Sequence, residues 1–158
     1  MDRLVRTASL LFTGLFAGFL LGVLVLENSL RGYGAAVYTQ VRQVELDALD
    51  TLASVTLIPA IITTVVLVVR GSNRRTALLA AALLVLVFVT SLVVNLPINA
   101  DQADWAVQSP PADWAEVRDR WQLAHLVRTI AALLAFGALA VGTQVSRAVP
   151  VRREWATA

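Results

Sequence analysis

Residues 52–94 read LASVTLIPAIITTVVLVV (52–69), RGSNRR (70–75) and TALLAAALLVLVFVTSLVV (76–94). Two charge-free apolar runs, each about the length a helix needs to cross a bilayer, flank a short polar turn with three arginines. The pattern predicts a transmembrane helical hairpin, its glycine, serine and asparagine turning the chain between antiparallel neighbours. Two further charge-free stretches, Thr7 to Leu26 and Thr129 to Val145, bring the number to four. Composition agrees. Of 158 residues 58% are hydrophobic and 15% charged, and the mean hydropathy is +0.71, too little charge to cover a soluble domain of this length. The expected fold is all-α: an integral membrane four-helix bundle forming a single transmembrane domain over 1–158.

The first stretch follows Arg3 and Arg6 as a signal peptide would. Its apolar core is long, however, and no small-x-small cleavage site follows Glu27, so a retained span is favoured. Gly14, Gly18 and Gly22 form two successive GxxxG spacings on it, which we read as close packing within the chain rather than as a dimer face. Eight arginines lie on the side of the termini and of the 70–75 turn. Five, with nine of the eleven acidic residues, lie on the other, so the positive-inside rule expects an N-in/C-in protein of the cytoplasmic membrane. Residues 36–51 and 113–128 read as helical extensions of the second and fourth spans beyond the outer face. The second helix then has roughly 34 residues, about 50 Å at ~1.5 Å per residue. These extensions are expected to pair with each other outside the membrane. The Pro110-Pro111 pair stops the preceding segment, and Asp113 stands where it can cap or charge-complement the fourth helix.

Several chemistries are excluded at once. The chain has no cysteine, so disulfides, thiolate nucleophiles and iron–sulfur clusters are out. All 13 basic residues are arginine, so there is no Schiff-base or P-loop lysine. The arginines are dispersed between apolar segments instead of forming a soluble basic face, so nucleic acid is not an expected partner. His125 is the only histidine, which rules out sites needing two or three histidines from one chain. A haem with one axial histidine, or a metal held by His125 and carboxylates, stays open.

The fourth helix carries the most informative spacing. Trp114, Arg118, Trp121, His125 and Arg128 recur at intervals of 4, 3, 4 and 3 and share one face. Lipid would not accept two arginines and a histidine in one stripe, so this face is expected to point into the bundle. The alternative is an interfacial belt of tryptophan and arginine at headgroup level. Uncharged imidazole is a competent general base, whereas a lone histidine more often just bonds between helices. The third span ends in Asn95-Leu96-Pro97-Ile98-Asn99, where proline is expected to break the helix and leave two carboxamides at the outer boundary. Glu27 ends the first helix at the same depth, either solvated or paired with Arg31 or Arg128. On the second helix Gln40, Gln43, Asp47, Asp50 and Ser54 form a polar stripe, with Val37, Val41, Val44 and Ala48 on another face. That stripe reads first as the wet side of an amphipathic helix, with Asp50 and Gln43 as secondary site candidates. Because Glu27, Asp50, Asn95 and Arg128 each abut a span on its outer side, a pocket at the outer mouth of the bundle is expected.

Asn95-x-Pro97-x-Asn99, then Pro111-x-Asp113-Trp114, then Arg118-x-Arg120-Trp121 with His125 and Arg128 following, resembles the anthrone oxygenase family of small membrane proteins. The likeness is best over 95–130, and the four-span layout agrees along nearly the whole chain. It implies oxidation of an anthrone-like polycyclic phenol or quinol by O₂, as in polyketide tailoring, with no cofactor. On that reading His125 takes the proton and Asn95 and Asn99 bond the carbonyl or phenol oxygens. Arg118 or Arg128 stabilises the developing anion, and Trp114 and Trp121 stack on the rings, with Glu27, Asp50 and Gln43 lining the pocket. The implied partners are a lipophilic aromatic molecule and the bilayer, with homo-oligomerisation left open. Competing readings of the same residues are a non-catalytic protein that binds a lipophilic quinone, haem or polyketide, and a structural subunit of a larger membrane complex.

Overall fold

The computed structural model describes residues 2–71 and 73–148. Among them the chain forms four long helices: α1 (Asp2–Ser29), α2 (Ala35–Val69), α3 (Arg74–Ala103) and α4 (Trp114–Ala148). All four are long and apolar enough to cross a membrane. Ser72 and the polar tail with Arg152 and Arg153 lie outside the described residues.

Each connection has a local cause. A 3₁₀ turn at Leu30–Gly32 ends the first helix, and α2 restarts directly after Gly34. Gly71 (φ 69°) and Asn73 (φ 49°) take the left-handed conformations that reverse the chain between α2 and α3. Asn73 then donates its side-chain amide to the Gly142 carbonyl on α4. A Cβ on Gly142 would lie 2.4 Å from Thr76 Oγ1, so only glycine admits this approach of α4 to the start of α3. The predicted second helix is one uninterrupted helix of 35 residues, about 52 Å at ~1.5 Å per residue. Both α2 and α4 therefore exceed the ~30 Å hydrocarbon thickness.

Inside the bundle, small residues let the helices come close. Ala60 of α2, Ala77 and Ala80 of α3, and Ala131, Ala132 and Ala135 of α4 are buried beside Phe16, Leu20 and Leu84. Their outward faces carry Leu11, Leu15, Ile62, Val85 and Leu134, exposed in the isolated chain and suited to lipid tails. A polar contact, Ser9 Oγ with Thr64 Oγ1 at 2.9 Å, ties the first part of α1 to the last part of α2.

Three expectations are corrected. First, α2 and α4 do not pair along their extensions. Helix α1 packs on α2 and α4, and α3 packs on the same two, so α2 and α4 stand diagonally and meet only through long side chains. Four antiparallel helices joined in order can close into a bundle either way, and pairing along the extensions would have required α2 and α4 to be neighbours. Second, Pro97 does not break α3. A π turn at Ser91–Asn95 inserts one residue before it, so its missing N–H falls in the first turn of the following segment (Leu96–Ala103), where it costs no helical bond. Third, only Gly14 of the glycine stripe packs internally, its Cβ position 3.0 Å from Phe136, while Gly18 and Gly22 face outward with nothing nearby.

Candidate functional site

At the end of the bundle opposite the α2–α3 turn, the core changes character. Tyr38, Arg42, Glu45 and Leu49 recur along α2 at intervals of 4, 3 and 4, a face between the polar stripe and the valine face, and this mixed face is the one that turns inward. Arg42, only 2% exposed, organises it. Its Nη1 meets Glu45 Oε2 at 2.6 Å and Glu27 Oε1 at 3.2 Å, Nε donates to Gln102 Oε1 at 3.0 Å, and Nη2 donates to Asn99 Oδ1 at 3.0 Å. Gln102 in turn donates to the Tyr38 hydroxyl, and Gln122 donates to Glu27 Oε2 at 3.0 Å. Two buried carboxylates around one guanidinium are tolerable only because every nitrogen of that guanidinium has an acceptor.

The Arg42 guanidinium also lies over the Trp121 ring, 4.1 Å from its centroid. His125 also stacks on Trp121, centroids 4.8 Å apart and planes 7° from parallel. Trp121 Nε1 donates to Asn99 Oδ1 at 2.7 Å, which fixes the indole against both. His125 Nε2 sits 2.9 Å from the Leu20 carbonyl, an acceptor only, so this nitrogen carries the proton. Nδ1 then holds a lone pair, and it is buried without a hydrogen-bond partner. Arg128 Nε and Asn95 Oδ1 are buried and unpartnered as well, while Asn95 Nδ2 is committed to the Trp121 carbonyl at 3.3 Å. Buried polar atoms without partners are expensive, and these three belong to residues that line open space; Thr13 Oγ1, Thr39 Oγ1, Glu27 Oε1 and Glu45 Oε1 are buried without a hydrogen-bond partner as well.

That space has two parts. A small inner cavity of about 50 Å³ is lined by Leu20, Val23, Glu45, Trp121, His125 and Arg128, among others. It can hold a molecule or two the size of water. Asp50, Asn99 and Arg128 also line a larger cleft of about 190 Å³ between α2 and α3, whose other walls are Phe16, Leu57, Ile58, Phe88 and Leu92. Ile58, Phe88 and Leu92 are exposed on the outside of the bundle as well, so this cleft opens sideways, where lipid would lie. The π turn of α3 aligns Ser91 and Asn95 with its inner wall. Among the described residues no three histidine, aspartate or glutamate side chains stand close enough to share a metal ion.

The structure brings together His125, Arg128, Asn95, Asn99, Asp50 and Trp121 of the residues singled out in the sequence. The others lie elsewhere. Glu27 is fully buried but belongs to the Arg42 cluster, not paired with Arg31 or Arg128 as expected, because Arg42 reaches it first from α2. Arg31 instead meets Asp119 at 3.1 Å on the surface. Trp121 is 4% exposed and already packs against Arg42 and His125, so little of its ring is left for a ligand to stack on. Trp114 packs near Tyr38 and under Arg118, and Arg118 holds Asp119 at 3.0 Å; neither lines the two cavities. Gln43 is structural, its amide donating to the Trp105 carbonyl at 2.7 Å and so anchoring the α3–α4 loop. Tyr38, Arg42, Glu45, Gln102 and Gln122 were not anticipated. The signal for the first three was the 4, 3, 4 spacing on α2, hidden because Arg42 reads as one charge among the outer arginines.

Compared with known proteins, residues 48–138, more than half of the chain, match the family described as anthrone oxygenase. No curated protein and no solved structure matches. The matched region contains every polar residue of the sideways cleft and begins just after Arg42 and Glu45.

Proposed function

The chain belongs to the anthrone oxygenase family, and from that premise we propose that it oxidises an anthrone-like polycyclic phenol with O₂ at the His125 site. The observation that carries this reading is the fixed tautomer of His125: the Leu20 carbonyl holds the proton on Nε2 and leaves Nδ1 unpartnered beside a cavity. The remaining assignments follow from which atoms are already committed.

The methylene opposite an anthrone carbonyl is acidic because losing its proton makes the central ring aromatic. His125 Nδ1 removes that proton, and the anion passes one electron to O₂. The resulting radical pair joins carbon to oxygen, and the imidazolium returns its proton to give a hydroperoxide. Loss of the second hydrogen from the same carbon, with cleavage of the O–O bond, gives the quinone carbonyl and water. The CH₂ has become C=O, O₂ has taken four electrons, and no proton is left over, so one histidine acting twice suffices. Arg128 stabilises the negative charge as it develops. Asn95 Oδ1 accepts from a phenol hydroxyl; the Asn99 side-chain amide nitrogen donates to the carbonyl oxygen, since Asn99 Oδ1 is occupied by Arg42 and Trp121. The apolar cleft takes the rings, and the inner cavity is of a size for O₂.

The test is quinone formation from a simple anthrone in air by purified protein in detergent, followed by absorbance with parallel O₂ uptake. We expect clear acceleration over the protein-free control with one O₂ consumed per quinone formed. A rate equal to the control, with correctly folded protein, overturns the proposal.

A further inference from the structure

Arg128 is an unusual residue to leave alone. It is 8% exposed, its Nε has no hydrogen-bond partner, and among the described residues no carboxylate lies within 4 Å of it. A buried guanidinium with no counter-ion in contact loses most of its hydration for little in exchange, here only the field of Asp50 across the cleft. It also lines both the inner cavity and the sideways cleft.

The surroundings narrow the use further. From α2, Asp50 and Glu45 supply negative charge, with Glu45 already taken by Arg42 and Asp50 exposed at the cleft mouth. From α4 the neighbour is His125, held with a lone pair at Nδ1. From α1 the cavity receives only Phe19, Leu20 and Val23, and from α3 the uncharged Asn95 and Asn99. No carboxylate thus touches Arg128, and apart from these polar groups the walls beside it are apolar or aromatic.

We propose that the cleft binds its aromatic ligand already ionised, as an aryl oxyanion paired with Arg128. The inference rests on the ligand site of the proposed oxidation but reaches further. It makes the ground-state anion, rather than a neutral phenol, the bound species, and it restricts the substrate class to planar aromatics with an acidic hydroxyl or a carboxylate near one end. The Asn95 Oδ1 acceptor cannot share that oxyanion and faces instead a neighbouring hydroxyl.

The experiment needs no turnover. A hydroxyanthraquinone changes its visible spectrum when its phenol ionises, so its titration can be followed bound to the protein in detergent, with empty micelles as reference. Its methyl ether serves as the control that cannot ionise. The expected result is binding with the phenol ionising about one to three pH units lower than in micelles, the range an opposite charge at contact distance gives. Arg128→Gln removes that displacement, Arg128→Lys keeps part of it, and the methyl ether binds at least tenfold more weakly than the dye to the original protein. A dye that binds with an undisplaced titration, one whose displacement survives in Arg128→Gln, or no binding at all overturns the inference. Helical content of both variants, read by circular dichroism, separates loss of the anion pair from loss of fold. The two readings also part here: displaced titration without anthrone turnover leaves this inference standing and removes the oxygenase, and turnover with an undisplaced dye does the reverse.

Discussion

Arg42 and Arg128 are buried to nearly the same degree, 2% and 8% exposed, one on α2 and one on α4, yet their surroundings are opposite. Every nitrogen of Arg42 has an acceptor, two carboxylates flank it, and an indole covers it. Arg128 has an unpartnered Nε and faces a cavity. The first is a network that joins residues from all four helices, and although Glu27 Oε1 and Glu45 Oε1 accept no hydrogen bond, its charges are compensated where they stand. The second is an open one, whose cost is only offset by something brought in. In a bundle otherwise packed by alanine and leucine, where lipid provides little drive for helices to associate, the Arg42 network specifies which helix faces which. The open one is where chemistry can occur.

The sharpest way to break this contrast is Arg42→Met. It strands Glu27 and Glu45 without a cation, and the expected loss is about 3–5 kcal/mol, enough to remove most folded protein in a detergent thermal melt. Arg42→Met combined with Glu27→Gln and Glu45→Gln should recover much of that stability. If Arg42→Met alone melts like the original protein, the Arg42 network is not what holds this end together.

Asn99→Leu comes next. Asn99 Oδ1 serves Arg42 and Trp121 Nε1 together, so its removal leaves two buried donors bare and should cost about 1–3 kcal/mol. Chemical denaturation with helical content as readout checks the number, and a change under half a kcal/mol would say that water replaces Asn99 freely.

Smallest is Gln43→Ala, which releases the loop carbonyl of Trp105 at a half-buried site. We expect about 0.5–1.5 kcal/mol and no change in ligand affinity. A large drop in affinity would bring Gln43 back into the site from which its geometry removes it.

What could be seen in the sequence follows from the range of the interactions. The four spans, the 70–75 turn and the Trp114–Arg128 face are local patterns: runs of apolar residues and a 3.6-residue period. They reappear in the fold with spans inside the long helices and with His125 and Arg128 turned inward. The partner of each inward face is not local. Which of three faces of α2 is buried depends on α1 and α3 being its neighbours, so the polar stripe through Gln43 and Asp50 drew attention while the Tyr38–Arg42–Glu45 face passed unnoticed. Glu27 was legible as a residue at the right depth but not as the partner of Arg42, because their pairing spans two helices and a turn. Pro97 looked like a break because a regular α-helix would have had to end there; the inserted π turn is a backbone adjustment that residue identities do not spell out.

If the His125–Arg128 cavity does the chemistry while the Arg42 network holds the fold, His125→Gln separates the two. Glutamine can still donate to the Leu20 carbonyl but offers no basic nitrogen. With anthrone and air, measured beside a thermal melt of the same preparation, the predicted result is a rate loss of roughly 10² to 10⁴ with a melting temperature within a few degrees of the original. A rate loss under fivefold in a variant that melts normally would contradict this division of roles.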